Sequence, residues 1–327
     1  MTAEFPKDLA AHSAKWGGDL ELVQGAGGNT SAKAGDRLWI KASGKQLADA
    51  LRENIFVELP LDAGWAMADG APAPTDHLAG GLRPSIETSL HAIMPSAVVA
   101  HLHMVDAIAY AVRSDAPAAL AKALAGLPWT WVPYAKPGAG LAQAVRAAVA
   151  GRAVEVVILG NHGVLLCGNS CEAVDRLVGE VRGRLAAPMR QGRLNLARLA
   201  EIGERLGLEP ARLAHAHLSA AHPVNLRFAT TGSLYPDHPV FLGRGARVQA
   251  EDAPPDAAAE TALHLVPGVG ALLARDLPDA AHQMAACLGL VTARIAEDAQ
   301  ITCLTRGQED ELISWDAEIY RRNLART

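Results

Sequence analysis

Hydrophobic residues recur alternately at helical and at strand spacing through the first two thirds of the chain. The spacing predicts an opening amphipathic helix, strands at 37–41, 97–103, 129–133, 154–160 and 164–168, and helices at 84–94, 105–113, 116–125 and 171–185. Such alternation is typical of an α/β fold. The segment 62–83 is rich in Ala, Gly and Pro and follows neither spacing, so we predict an irregular loop there.

One part of this pattern occurs twice. The segments 158–174 (ILGNHGVLLCGNSCEAV) and 265–281 (LVPGVGALLARDLPDAA) both read as strand, glycine turn, strand and helix start. A partial internal repeat predicts a first domain at 1–190 and a smaller C-terminal one at 191–327 that repeats the end of the first. The second copy lacks the histidine, so we expect the chemistry in the first domain.

Composition narrows the class of protein. Half of the residues are hydrophobic, and the net charge of -5 comes without any run of Lys or Arg, which argues against a nucleic-acid partner. No apolar stretch reaches the ~18 residues of a membrane helix, and the N-terminus lacks the pattern of a signal peptide. The four cysteines lack zinc-ribbon spacing and are expected to be reduced thiols, so we expect a cytoplasmic protein without membrane contact.

Two histidines end the apolar segment AVVAHLH (97–103). On a strand, His101 and His103 point to one face roughly 6.5–7 Å apart, and Zn–N bonds of about 2.0–2.1 Å let two imidazoles converge on one ion. Two histidines that merely face solvent or a helix are the alternative. Burying them at the end of an apolar strand is costly unless they are ligated or hydrogen-bonded, so we predict the core of a divalent-metal site.

Glu87 lies in the first turn of the helix that leads into this strand. If the helix returns antiparallel to the strand, the start of the helix comes close to the end of the strand, and the carboxylate lies beside the metal. That arrangement suits proton abstraction next to a carbonyl group. A carboxylate placed there only for the helix dipole is the alternative.

Three short elements before the histidines could bind an anion. They are the turn GGNTS (27–31), Ser43–Gly44 between Lys41 and Lys45, and Ser85 at the start of a helix. Each alone is usually an ordinary turn, and the lysines are equally compatible with solvated charges at a strand edge. None of them matches a P-loop or a dinucleotide fingerprint, so nucleotide binding is disfavoured.

Together these motifs resemble the class II aldolase/adducin family. The similar segments are GGNTS (27–31), KASG (41–44), PSIETSLHAIMP (84–95), VVAHLH (98–103) and GNHGVLLCG (160–168), in the order in which the family has them. The long form of the family, which includes the aldolase half of bifunctional rhamnulose-phosphate aldolase/dehydrogenases, is similar further on, at YPDHPVF (235–241), LVPGVG (265–270) and around Trp315.

The resemblance implies a three-layer α/β/α sandwich around a largely antiparallel sheet, bound Zn²⁺ (with Mn²⁺ as another divalent candidate) and a homo-oligomer, often a tetramer. It implies that a small-molecule sugar phosphate or sugar acid is held through its anionic group by Asn29, Ser43, Gly44 and Ser85. Glu87 would be the acid/base, and His101 and His103 would be metal ligands. The implied reaction is retro-aldol cleavage through an enediolate stabilised by the metal.

The chain departs from the family pattern at the third metal histidine. In fuculose-phosphate aldolases that residue lies sixteen positions after the turn glycine, which here is Gly179. We predict His238 as its replacement, with His162 as the rival and Glu180 or Glu87 as carboxylate alternatives. A sugar-phosphate epimerase, a decarboxylase, or an adducin-like binding protein without metal are the alternatives to a lyase.

Overall fold

The computed structural model describes residues 5–74, 81–256 and 258–325, and these form two compact units. The first comprises the described residues up to Ala107 together with Pro117–Leu185. The second comprises Ile108–Ala116 and the described residues from Ala186 onwards. The two units divide after Leu185, and the short segment Ile108–Ala116 belongs to the second. The domain bounds 1–190 and 191–327 stay a prediction.

A seven-stranded sheet forms the centre of the first unit. Its strands are β1 (Asn29–Ala34), β2 (Arg37–Lys41), β3 (Phe56–Pro60), β4 (Val98–Leu102), β5 (Trp129–Val132), β6 (Val156–Leu159) and β7 (Gly163–Gly168). They lie in the order β3-β2-β1-β4-β7-β6-β5. Neighbouring strands are antiparallel except for β5 and β6, so the predicted largely antiparallel sheet is confirmed.

Helices cover both faces of this sheet. They include α1 (Lys7–Gly17), α2 (Leu61–Ala68), α3 (Thr88–Ile93), α6 (Ala139–Val149) and α7 (Cys171–Leu185). Two further helices follow β4: α4 (Val105–Ala111), which continues into the second unit, and α5 (Ala116–Ala123). One face presents Val99 and Leu165 to a core shared with α3 and α6. The other face meets α7, since a Cβ on Gly168 would lie 3.2 Å from Val174. The α/β/α layering is therefore as predicted.

The second unit is also a mixed α/β structure. Its elements are α8 (Leu196–Leu206), β8 (Glu209–Pro210), α9 (Leu218–Ala221), α10 (Pro223–Ala229), α11 (Asp237–Leu242), β9 (Arg247–Val248), β10 (Leu263–Val266), β11 (Gly270–Leu273), α12 (Asp279–Arg294), α13 (Arg306–Ile313) and α14 (Asp316–Leu324). The four strands lie in the order β8-β11-β10-β9. Helix α12 supplies much of the core, with a long run of buried residues.

The two segments of similar sequence share one local structure. The pair Leu159–Gly163 closes the β6–β7 hairpin, and the pair Val266–Gly270 closes the β10–β11 hairpin, so the same number of residues forms each turn. A helix follows each hairpin.

Two expectations about the segment before the histidines are corrected. Part of the supposed loop 62–83 is helix α2, and residues 75–80 lie outside the described residues. A Cβ on Gly64 would lie 2.6 Å from that of Ala92, so the small residues that resemble loop composition serve close packing of α2 on α3. Helix α3 begins at Thr88 and not near Pro84, because Pro84 forms an extended bridge with Ala42.

In the described ranges, no helix combines the length and the hydropathy that crossing a membrane requires. The four cysteines are free thiols, and three of them are buried, while Cys303 is half-buried.

Candidate metal centre

Strand β4 positions the first two histidines at the middle of the sheet. His101 pairs with Asn29 of β1 on one side and with Leu165 of β7 on the other, and His103 follows the end of the strand. Both imidazoles are buried, and their ring centroids are 5.1 Å apart. The two rings therefore point to one face, as the spacing predicts.

The third imidazole comes from the turn between β6 and β7. Asn161 in this turn has a positive φ of 50°, and Gly163 lets the turn approach β4, since a Cβ there would lie 2.4 Å from the carbonyl oxygen of Leu102. The ring of His162 lies 4.8 Å from that of His101 and 5.3 Å from that of His103. Potential ligand atoms of the three side chains all lie within 4.8 Å of one another.

Glu87 is buried beside the three rings. Its Oε2 lies 3.5 Å from Nε2 of His101, and its Oε1 lies 3.6 Å from Nε2 of His162. Asn29 donates a 2.7 Å hydrogen bond from Nδ2 to Oε2, and the main-chain N–H of Glu87 donates to Ser85 Oγ. The carboxylate is thereby fixed on the face of the sheet that carries the histidines.

The donor set fits a divalent ion. Three imidazoles with a carboxylate nearby match the ligands of catalytic zinc sites. Nδ1 of His101 donates to the carbonyl oxygen of Val164 at 3.2 Å, which leaves Nε2 of the neutral ring as the nitrogen with a lone pair for an ion. Within the described part of the chain, no other group of three or more His, Cys, Asp and Glu residues is close enough to share an ion.

The structure groups His162, and not the predicted His238, with His101 and His103. His238 lies in α11 of the second unit, fully buried, with its ring 5.8 Å from that of Tyr235, and burial lowers its pKa to about 4. Glu180 accepts hydrogen bonds from Arg184, and Gly179 is an exposed residue of α7. His162, the predicted rival, joins the cluster because β7 lies beside β4, and this strand order is not readable from the sequence.

The predicted anion elements meet around the end of β2. The main-chain N–H of Ser43 donates to Arg83, and Ala42 bridges Pro84, which places the Ser43–Gly44 turn beside the segment that leads to Ser85. Ser43 and Gly44 are half-buried, whereas Ser85 is buried.

The GGNTS segment is predicted as a turn, but its last three residues, Asn29, Thr30 and Ser31, belong to strand β1. The two hydroxyl groups hydrogen-bond inside the protein, Thr30 to Ser13 and Ser31 to Nδ1 of His91. This leaves Asn29 and the preceding glycines of the segment as the groups that could contact an anion. Burial, more than the charges of His101 and two lysines, lowers the pKa of His91 well below its ordinary value.

The first part of the chain is similar to known proteins. Residues 7–180 match the model of the class II aldolase and adducin N-terminal domain. Among curated proteins, the uncharacterized oxidoreductase YuxG of Bacillus subtilis (strain 168) is 31% identical over an alignment of 193 residues, with 52% of this chain and 28% of YuxG covered. The chain thus spans less than a third of the length of this relative.

Two solved structures are similar to the first part of the chain. The N-terminal class II aldolase domain of a conserved protein from Thermoplasma acidophilum is 27% identical, with 57% of this chain and 95% of that chain covered and a TM-score of 0.45. An L-fuculose-1-phosphate aldolase from Thermus thermophilus is 20% identical, with 54% and 92% covered and a TM-score of 0.38. Because the family model matches more than half of the 327 residues, the chain belongs to the class II aldolase and adducin N-terminal domain family.

Proposed function

We propose that this chain is a metal-dependent lyase that cleaves a phosphorylated or acidic sugar by a retro-aldol reaction. The observation that carries the proposal is one buried carboxylate, Glu87, whose two oxygens lie 3.5 and 3.6 Å from imidazole nitrogens of His101 and His162. Family membership supports the reaction class.

The proposed metal ligands are His101, His103 and His162, and Zn²⁺ is the proposed ion, with Mn²⁺ as the alternative. A divalent ion bound there supplies a Lewis acid for a carbonyl oxygen. Three histidine ligands leave coordination positions for substrate oxygens, as catalytic zinc sites require.

Glu87 is the proposed acid/base. It takes the proton from the substrate hydroxyl group next to the carbon–carbon bond that breaks, and it returns a proton to carbon afterwards. Its burial and the hydrogen bond from Asn29 fix the carboxylate in one orientation, which general acid–base catalysis needs. Asn29, Ser43, Gly44 and Ser85 are proposed to hold the anionic group of the substrate, as the resemblance implies.

The assembly and location are proposals from the family alone. We infer a homo-oligomer, with a tetramer as the first candidate, that acts in the cytoplasm on small molecules.

A substrate screen tests the reaction. Sugar phosphates and sugar acids are incubated with zinc- or manganese-loaded protein, and aldehyde release is followed, with Glu87→Gln as the matched control. We expect aldehyde release that falls at least about a hundredfold in Glu87→Gln. Equal rates in the two proteins would contradict the role of Glu87. Carbon dioxide or an epimer without aldehyde would assign decarboxylation or epimerisation to the same site.

A further inference from the structure

The second unit contains a cleft of its own, with a volume of about 490 Å³. The described residues that line it all lie between Pro239 and Arg322, so no residue of the metal centre is among them. They come from α11, from the segment 259–262, from the segment that leads into α12, and from α13 and α14. Small-molecule sites in proteins have volumes of roughly 300–1,000 Å³, so this cleft has the size of a ligand site.

Main-chain hydrogen bonds hold one wall of the cleft in place. The N–H of Arg244 donates to the carbonyl oxygen of Glu260, and the N–H of Ala262 donates to that of Leu242, both at 2.7 Å. A Cβ on Gly243 would lie 2.2 Å from the carbonyl oxygen of Glu260, so the two segments are in direct contact. Because this wall is already ordered, a ligand loses little binding free energy in forming it.

Much of the lining is apolar. Phe241 comes from α11, Leu277 and Pro278 precede α12, and Ile313 is the last residue of α13. Leu277, Pro278 and Ile313 are half-buried, so each of them keeps apolar surface in contact with solvent. An apolar group that fills the cleft removes this surface from water, which favours binding.

Two guanidinium groups border the cleft, and they have different partners. Arg322 donates a hydrogen bond to the carbonyl oxygen of Ile313 at 3.2 Å, and it forms no ion pair with any residue that the structure describes. The carbonyl group orients the guanidinium group without neutralising it. Arg244, in contrast, forms ion pairs with three carboxylates, those of Glu260, Glu309 and Asp310. The positive charge available to a ligand is therefore that of Arg322.

This charge and this lining select a class of ligand. A carboxylate carries one negative charge, and its two oxygens match the fork of a guanidinium group. A phosphate dianion is disfavoured, because Glu260 also borders the cleft and its side chain is 52% exposed. The apolar lining favours an apolar body attached to the carboxylate.

We propose that the cleft of the second unit binds a small monocarboxylic acid. Its apolar body packs against Leu277, Pro278 and Ile313, and its carboxylate pairs with Arg322. The proposal goes beyond the proposed lyase function and does not depend on it, because it concerns other residues and another ligand.

Octanoate is the probe that tests the ligand class. Isothermal titration calorimetry on the full chain compares octanoate with 1-octanol, which has the same number of carbon atoms without the charge. We expect octanoate to bind with a Kd below about 1 mM, and 1-octanol to bind at least about tenfold more weakly. Absence of octanoate binding, or equal affinity for the two compounds, would overturn the proposal.

Variants test where octanoate binds. Arg322→Met should weaken its binding at least about tenfold. Arg227→Met is the matched control, because the guanidinium group of Arg227 also donates to a main-chain carbonyl oxygen, that of Glu297 at 2.6 Å, but does not border the cleft. It should stay within about twofold of the wild type. Equal weakening in the two variants, or none in Arg322→Met, contradicts the pairing with Arg322.

Two further variants separate loss of the site from loss of folding. Leu277→Trp fills the cleft and keeps Arg322, so it should weaken octanoate binding while circular dichroism shows unchanged helix content. Arg322→Lys keeps the positive charge and should bind octanoate more tightly than Arg322→Met does. Unchanged affinity in Leu277→Trp would place octanoate outside the cleft, and equal affinity in Arg322→Lys and Arg322→Met would show that the charge has no role; either result rejects the proposal.

Discussion

At the residue scale, Glu87 keeps a carboxylate in the interior because polar partners surround it. A buried carboxylate without partners would cost several kcal/mol. Asn29 donates to one oxygen, and His101 and His162 lie near the two oxygens. Asn29 reaches Glu87 because the β1–β4 register places it opposite His101, so both side chains emerge on the same face.

This contact gives a prediction for Asn29. Removing its amide in Asn29→Ala leaves Glu87 without its donor, so we expect kcat to fall about tenfold, which corresponds to about 1.4 kcal/mol, with unchanged metal content. Steady-state kinetics on any substrate found in the screen measures the effect. A rise in KM at constant kcat would show instead that Asn29 binds the substrate anion, as the resemblance implies.

The residue types of this site are predictable in part. Local spacing alone brings His101 and His103 to one face of a strand, whereas the predicted place of Glu87 depends on the antiparallel return of the preceding helix onto that strand. On the sequence, His162 ranks behind His238, because a histidine in a turn usually bonds to the backbone. Its place depends on the order of the strands, which no local pattern encodes.

At the element scale, the β6–β7 hairpin is the part of the fold that carries the third imidazole into place. Its approach to β4 depends on Gly163, where a Cβ would lie 2.4 Å from Leu102 O and 3.4 Å from His103 Cα. Backbone atoms cannot move aside as the end of a flexible side chain can. The glycine is therefore a structural requirement of the histidine cluster.

A pair of glycine variants tests this requirement. Gly163→Ala should destabilise the protein by about 1–3 kcal/mol and lower its metal content, because the turn must move away from β4. Gly179→Ala is the control: it lies on α7 with open space around it and should be neutral or stabilise by up to about 1 kcal/mol. Thermal unfolding and metal analysis measure both effects. Full metal content in Gly163→Ala would argue against the close approach.

The elements themselves are predictable where local signals agree. The bounds of β2 and α7 coincide with those predicted from hydrophobic spacing. The sequence does not predict helix α2, because Gly64 lowers the local helix propensity. Gly64 stabilises the fold through close packing of α2 on α3, and this tertiary contact is not visible in the local sequence. The predicted start of α3 is too early because Pro84 is committed to a bridge with Ala42.

At the scale of the whole molecule, the histidines that the sequence offers as metal ligands lie in two different units. The first unit holds the three that surround Glu87, and the second holds His238 in its core. Burial lowers the pKa of His238 to about 4, so this ring stays neutral in the folded protein throughout the physiological pH range.

The neutral ring gives a prediction for acid stability. Between pH 6.5 and about 4, the unfolded chain protonates His238 and the folded protein does not, so the free energy of unfolding falls as the pH falls through this window. In His238→Gln, the slope of the free energy of unfolding against pH should become shallower by up to about 1.4 kcal/mol per pH unit. Chemical denaturation at several pH values measures the slope, and an unchanged slope would contradict the buried neutral state.

The central claim is that His101, His103 and His162 hold one divalent ion beside Glu87. Elemental analysis of protein purified without chelator tests it most directly, with His162→Ala compared with His238→Ala. We expect about one ion per chain in the wild type and in His238→Ala, and a small fraction of one ion per chain in His162→Ala. Metal lost from His238→Ala but kept by His162→Ala, or a wild type with far less than one ion per chain, would contradict it.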